Sequence, residues 1–269
     1  SISADFSSES KLEFWSLLDG KNEKPFHSIE TSSKFNDLDW SIDNKIIAGA
    51  LDDGTVEFYS APTSSTDSSN SKIITSLKKH STSVKTLKFN PKLGNVLISG
   101  DSKGLINVWD TNKITDSGYS PTQPGQSITS IDEIKCLAWN KSLSHVFANA
   151  GSSSGFASVW DLKTKKEVIH LSYTSPITNS KVPLDIVEWH PSNSTRIATA
   201  SNTDLDPSIL IWDLRQPNSP ITTLSNVHSK GILSLDWCTK DSDLLISSGS
   251  DNTVVLWDPE TLKTSLTVY

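Results

Sequence analysis

Two ladders of aromatic residues run through this chain at one period. Trp15, Tyr59, Trp109, Trp160, Trp212 and Trp257 follow one another at 44, 50, 51, 52 and 45 residues. Trp40, Phe89, Trp139, Trp189 and Trp237 do so at 49, 50, 50 and 48. Each of these aromatics ends a short apolar run, and turn residues separate the runs, which is strand patterning. A strand-built unit of roughly 40–50 residues cannot bury its faces alone and must stack on copies of itself, as β-propeller blades do. The expected fold class is all-β.

Strands are expected at 12–15 and 26–29, then at 35–40, 46–50 and 55–59, and at 84–89, 96–99 and 105–109. They continue at 134–139, 146–150, 156–160 and 167–171, then at 184–189, 196–200, 208–212 and 221–224. The last unit has a run ending in Trp237, then 244–246, 253–256 and 264–268. This reads as five complete four-stranded blades, at about 32–80, 81–131, 132–172, 182–226 and 229–269, after an outer half blade at 1–31. Together they form one propeller domain over 1–269. Asp52-Asp53-Gly54 and Ser250-Asp251-Asn252 are hairpin turn signals, and Asn90-Pro91 and His190-Pro191 mark turns. Polar residues at 7–10 form a further turn. The Ser/Thr-rich insert 61–71 reads as a linker, with phosphorylation as a second possibility. No amphipathic helix is expected.

Composition narrows the function. A net charge of -7 disfavours nucleic-acid binding, which leaves a basic footprint. No apolar stretch reaches the ~18 residues that span a bilayer, and no signal peptide opens the chain. Methionine is absent even at position 1, so the chain is expected to begin inside a longer protein. The two cysteines, Cys136 and Cys238, read as small core residues of a reducing compartment. Two Asn-x-Ser/Thr sequons, at Asn140 and Asn193, are attributed to chance.

The dipeptides Trp109-Asp110, Trp160-Asp161, Trp212-Asp213 and Trp257-Asp258 resemble those of the WD-repeat family. That resemblance implies a buried tetrad of Trp, Ser or Thr, Asp and an upstream His in each blade. The last unit matches at His228, Ser247, Asp251 and Trp257. The third keeps His80, Ser99 and Trp109, with Lys103 where the Asp is expected. The second keeps Asp53 but has Tyr59 for Trp, and the fourth and fifth lack the His. A buried indole N–H needs an acceptor, and hydroxyl, imidazole and carboxylate can close a relay around it. The same His-Ser-Asp set could suggest a hydrolase. A nucleophilic serine, however, needs an exposed strained turn such as G-x-S-x-G, and none is present. Repetition at blade spacing favours a structural role. His145, His170 and His190 show no metal-ligand spacing, and no phosphate-cradling glycine loop opens a helix. No catalytic, cofactor or metal residue is assigned.

The segments between these landmarks are more specific. Lys34-Phe-Asn-Asp-Leu-Asp-Trp-Ser41, Asn44-Lys-Ile-Ile-Ala-Gly-Ala-Leu51 and Leu137-Ala-Trp-Asn140 resemble the large outer-shell subunit of the COPII vesicle coat. So do ASVWDLKTKKEVIHLSYTSP at 157–176 and the segment from Asp206 to Arg215. The match spans about 1–265 and has a fungal character. It implies a seven-bladed propeller, here expected to be clipped at both ends. It implies a scaffold on the cytosolic face of endoplasmic-reticulum exit sites, in coats that bud vesicles towards the Golgi. The implied partners are the smaller outer-coat propeller subunit and neighbouring copies at cage vertices. No nucleic acid, membrane insertion or small-molecule substrate is expected. Candidate contact loops are 110–126, with Tyr119, Pro121 and Pro124, and 174–183, with Pro176 and Lys181. The alternative is a generic WD-repeat adaptor binding peptide partners in another complex. The scarcity of arginine, with only Arg196 and Arg215, gives phosphopeptide reading little support.

Overall fold

The computed structural model describes residues 10–15, 25, 27–31, 33–62, 72–114, 118–128, 132–151, 155–261 and 263–268. Residues 63–71 of the Ser/Thr-rich insert and residues 7–9 lie outside them. The described strands form six antiparallel sheets, each in chain order. β1 (Lys11–Phe14) and β2 (His27–Glu30) make a two-stranded ribbon. β3 (Phe35–Trp40), β4 (Ile46–Leu51), β5 (Thr55–Ser60) and β6 (Ile73–Lys78) form the next sheet, followed by β7 (Val84–Phe89), β8 (Val96–Asp101) and β9 (Ile106–Asp110). The fourth sheet is β10 (Cys136–Trp139), β11 (Val146–Gly151), β12 (Phe156–Asp161) and β13 (Lys166–Ser172). β14 (Ile186–Trp189), β15 (Arg196–Ala200), β16 (Ile209–Asp213) and β17 (Thr222–Leu224) follow, then β18 (Ile232–Trp237), β19 (Leu245–Gly249), β20 (Val254–Asp258) and β21 (Lys263–Val268). The described residues hold one short helical turn, the 3-10 helix Thr111–Lys113. By internal contacts the chain divides into two compact units, residues 1–102 with 107–122, and 103–106 with 123–269.

The second strands β4 (IIAGAL) and β15 (RIATA) are largely apolar and buried on both faces, whereas β19 leaves Ile246 exposed. Side chains of a strand point alternately to its two faces, so such runs need cover on each. Within the first unit, Ala48, Ala50, Val56 and Phe58 pack on Leu87, Leu97 and Trp109 of the next sheet. Within the second, Ala148, Ala157 and Val159 pack on Trp189, Ile197 and Trp212, and Ile209 and Ile211 pack on Leu235, Val255 and Trp257. Sheet-on-sheet burial at the 50-residue period therefore builds the core.

Polar ties follow the same period. Asp37 of β3 accepts hydrogen bonds from the Thr86 hydroxyl (2.9 Å), the Leu87 N–H (3.1 Å) and Lys88 Nζ (3.1 Å), and Asp39 accepts from the Phe89 N–H at 2.6 Å. Lys135 donates to Asp185 at 2.7 Å, and the Trp189 indole donates to the Ala138 carbonyl at 3.1 Å. The turns after β7, β10 and β14 share one device. Asn90 Oδ1 and Asn140 Oδ1 each accept two backbone N–H groups, and His190 Nδ1 does the same for Asn193 (2.9 Å) and Ser192 (3.2 Å). The accepting Nδ1 keeps His190 neutral. Burial, and then the Arg196 charge, push its pKa down.

The structure differs from the sequence expectation at three places. The third sheet has three strands, and its expected fourth is reduced to a single bridge between Val108 and Thr122. Pro121 and Pro124 lack the N–H groups a ladder needs there. Both cysteines are half-buried: Cys136 packs against the core and donates to the Val187 carbonyl at 3.5 Å, whereas Cys238, past the end of β18, lies outside the core clusters. Trp40 and Trp15, rungs of the ladders, are 46% and 49% exposed.

Close approach requires a glycine at position 125. Gly125 has φ +134°, and a Cβ there would lie 1.9 Å from the Lys165 carbonyl oxygen. This contact lets Gln126 bridge in parallel to Lys166 along the outer strand β13. Gly155 has φ +70° but no atom within 3.4 Å of the same test position. Gly125→Ala should therefore cost roughly 3 kcal/mol, and Gly155→Ala about 1 kcal/mol. Comparing their urea midpoints measures the difference.

Candidate functional site

The aromatic ladder at the third strands sets the first constraint. A buried indole has one N–H that is costly to leave unpaired, and the third-strand tryptophans all find an acceptor, unlike Trp237 at the end of β18. Trp257 donates to Ser247 Oγ at 2.8 Å, Trp212 to Thr199 Oγ1 at 2.9 Å, Trp160 to Asn149 Oδ1 at 2.6 Å and Trp109 to Ser99 Oγ at 2.8 Å. Strand register explains the common placement. Trp257 lies opposite Leu245, Trp212 opposite Ile197 and Trp160 opposite Phe147. In each case the acceptor is two residues past that partner, on the same face of the strand.

The second unit breaks the rule for a readable reason. Tyr59 lies opposite Ile47, so the acceptor position falls on Gly49, which has no side chain. A Cβ at Gly49 would meet the Phe35 ring at 2.4 Å. Tyr59 turns instead to Glu57, two residues back on its own face, and donates its hydroxyl to that buried carboxylate. Burial, and then the bond to Glu57, push the Tyr59 phenol far above its ordinary range.

The structure brings together all four residues expected in the last unit. His228 Nε2 lies 2.7 Å from Ser247 Oγ, and its Nδ1 lies 3.3 Å from both Asp251 oxygens. The Ser247 hydroxyl accepts from Trp257, so its proton goes to Nε2, and the Nδ1–H is left for Asp251. Thr253 also donates to Asp251 at 2.7 Å. In the third unit His80 Nε2 lies 2.7 Å from Ser99 Oγ. Its carboxylate partner is Asp101, 3.1 Å from Nδ1, and not the residue at 103. The difference is one of position. Gly249 occupies the strand site matching Asp101, and a Cβ there would lie 2.6 Å from His228 Nδ1. A carboxylate reaches the histidine either from the strand, as Asp101, or from the turn, as Asp251. The sequence expectation allowed only the turn.

These relays are sealed from solvent. His80, Ser99, Asp101, Trp109, Ser247 and Trp257 are all buried, and His228 is 4% exposed. Among the described residues no group of three or more His, Cys, Asp or Glu side chains could hold a metal.

The expected contact loops behave differently from one another. Tyr119 is half-buried, stacks on Trp109 at 6.1 Å and accepts the Asp110 N–H at 2.7 Å. Pro124 is buried and Pro121 half-buried. In the second loop Pro176 and Lys181 are exposed.

Burial alone would raise the Asp251 carboxyl. Hydrogen bonds from the Thr253 hydroxyl, the Ser229 and Thr253 N–H groups and His228 outweigh it and hold the pKa well below the carboxylate range. A group depressed in this way adds stability above its unfolded pKa, which fades as the pH falls below about 4. Asp251→Asn should lower the melting temperature at neutral pH and flatten its decline on acidification, as read by a pH series of thermal melts. Ser247→Ala strands two buried groups and should cost roughly 2–4 kcal/mol, with Ser247→Thr recovering most of it, since Thr199 fills the same place. Urea titrations of both variants check this.

Residues 71–110 and 218–258 match the model of the WD domain, G-beta repeat. Proteins described as protein transport protein SEC31 are similar to most of the chain. That of Saccharomyces cerevisiae is 60% identical over 263 residues, that of Kluyveromyces lactis 57% over 259, and that of Aspergillus terreus 39% over 269. These alignments cover 96–97% of this chain but 20% of each relative, so the chain spans about a fifth of their length. A solved chain from "COPII on membranes, outer coat vertex" superposes with a TM-score of 0.90 at 58% identity, covering 98% of this chain and 68% of that one. A chain from "The structure of the COPII coat assembled on membranes" gives the same score and identity, with 38% of its length covered. The aromatic ladders, the indole-to-second-strand bonds and these likenesses agree, and the chain belongs to the Sec31 family of WD-repeat β-propeller proteins.

Proposed function

We propose that this chain is a structural module of the COPII outer cage and has no catalytic role. It supports vesicle budding and transport from the endoplasmic reticulum to the Golgi through protein–protein contacts. The observation that carries the reading is its 58% identity, at a TM-score of 0.90, to a chain solved at the outer coat vertex. Its partners would be the smaller outer-coat propeller subunit and neighbouring copies at the vertices. Its place would be the cytosolic face of exit sites and vesicles. The His228–Ser247–Asp251–Trp257 and His80–Ser99–Asp101–Trp109 relays serve the fold, since their reactive atoms are buried and already satisfied. A stiff sheet stack can hold loops in fixed positions, and many weak contacts then add through multivalency. Of the two candidate loops, 174–183 is the better contact surface, because Tyr119 and Pro124 of the other are turned into the fold.

A chimera tests the proposal. Residues 1–269 should replace the matching stretch of the Saccharomyces cerevisiae relative and sustain cargo export from the endoplasmic reticulum in a strain lacking the native copy. A chimera that is stable and present at normal levels, yet fails to join outer coats on membranes, would refute the assignment.

A further inference from the structure

Two sheets satisfy their relay carboxylate with a histidine, Asp101 with His80 and Asp251 with His228. The sheet β14–β17 also has a carboxylate at this place. Asp206 stands six residues before Trp212, as Asp251 stands six before Trp257. The loop ahead of β14, residues 174–183, contains no histidine. Asp206 is 4% exposed, and its Oδ1 accepts the Ser208 hydroxyl. Its Oδ2 is buried with no hydrogen-bond partner. A buried carboxylate oxygen without a donor is a cost to the fold, so it marks a place where a donor is missing.

The surroundings suit an incoming group. Ile186, Ala200, Ile209 and Leu224 are in register, so loops 174–183, 201–208 and 225–231 open at one end of this sheet. Two apolar side chains stand out there, Ile177 at 74% and Leu205 at 77% exposure. Their loops are held in shape. Ser175 Oγ accepts the Ile177 and Thr178 N–H groups, and Thr174 bridges Lys181. Asp204 accepts the Gly231 N–H at 2.8 Å, and Asp185 accepts the Asn202 N–H at 2.9 Å. Ordered loops that display apolar tips beside an unsatisfied acceptor lose little entropy on binding.

We propose that Asp206 is the docking point for one basic side chain of a partner protein segment, entering between Ile177 and Leu205 and completing the relay that histidine completes elsewhere. A cationic N–H donor matches the carboxylate, and its aliphatic stem and neighbouring apolar residues match the two tips. A lone carboxylate lacks the ligand number a metal ion needs. Lys181 and Lys230, both exposed at the same end, would repel a run of basic residues and favour a single one. Because Asp206 Oδ2 is sealed from solvent, entry requires the surrounding loops to part. The inference deepens the scaffold reading by naming the chemistry of one contact.

The test uses the full-length protein and a fluorescent 12-residue Gly/Ser peptide carrying Leu-Arg-Leu, with Leu-citrulline-Leu as its uncharged twin. Anisotropy should show binding of the arginine peptide that weakens at least tenfold in Asp206→Asn and at least tenfold with citrulline. The melting temperature of Asp206→Asn should equal or exceed that of the parent, since an unpaired charge is removed. Absent binding, or binding equal in both proteins, would overturn the proposal. So would a lowered melting temperature, which would mean that the carboxylate is satisfied within the fold by ordered water. None of these results depends on coat assembly, so the chimera and the peptide can fail separately.

Discussion

The indole N–H groups of Trp109, Trp160, Trp212 and Trp257 are the constraint on which the sheets depend. Each tryptophan is buried between sheets and has to bring its own polar group with it. An unmet N–H there would cancel much of what the ring gains by burial. The second strand supplies the acceptor, two residues beyond the tryptophan's cross-strand partner, as Ser, Thr or Asn. That single bond fixes the register of the second strand against the third, since a one-residue slip would carry the acceptor to the opposite face. Histidine and aspartate extend the bond into a relay in two sheets, and the other sheets do without the extension.

Variation among the units follows from what each acceptor position can offer. Gly49 offers nothing, and Tyr59 bonds to Glu57 instead. Ser99 and Ser247 lie beside His80 and His228, whereas Thr199 has the same hydroxyl in a sheet without the histidine, and Asn149 accepts through its amide oxygen. The carboxylate is placed on the strand in one relay and in the turn in the other, which shows that the imidazole needs a charge near Nδ1 and is indifferent to the backbone that provides it. Asp206 keeps the turn position in a sheet that never supplies the histidine.

Functional surfaces in a scaffold are set by what the core leaves unused. The relays look like hydrolytic chemistry in sequence, but their groups are buried and hydrogen-bonded to one another. What remains outside is a set of loops of unequal freedom. Tyr119 closes the 110–126 loop onto Trp109, whereas the 174–183 loop is ordered by its own hydrogen bonds and presents Ile177 outward. In the proposed scaffold role such loops are fixed contact points that act in number.

Periodicity alone made the strands legible. Alternation, turn residues and two aromatic ladders located nearly every strand to within a residue or two, because these signals act locally. The sequence also determined the complete relay of the last unit, whose residues all stand at the expected spacings. It missed the carboxylate of the third unit, where Lys103 fills the turn position, because a strand residue, Asp101, can aim at the same imidazole and only three-dimensional proximity shows it. The lost fourth strand beside Val108, the exposure of Trp40, the inward turn of Tyr119 and the unpaired oxygen of Asp206 were likewise decided by tertiary structure. Each depends on which groups the neighbouring segments bring within hydrogen-bond or packing distance, and residue spacing does not encode that distance.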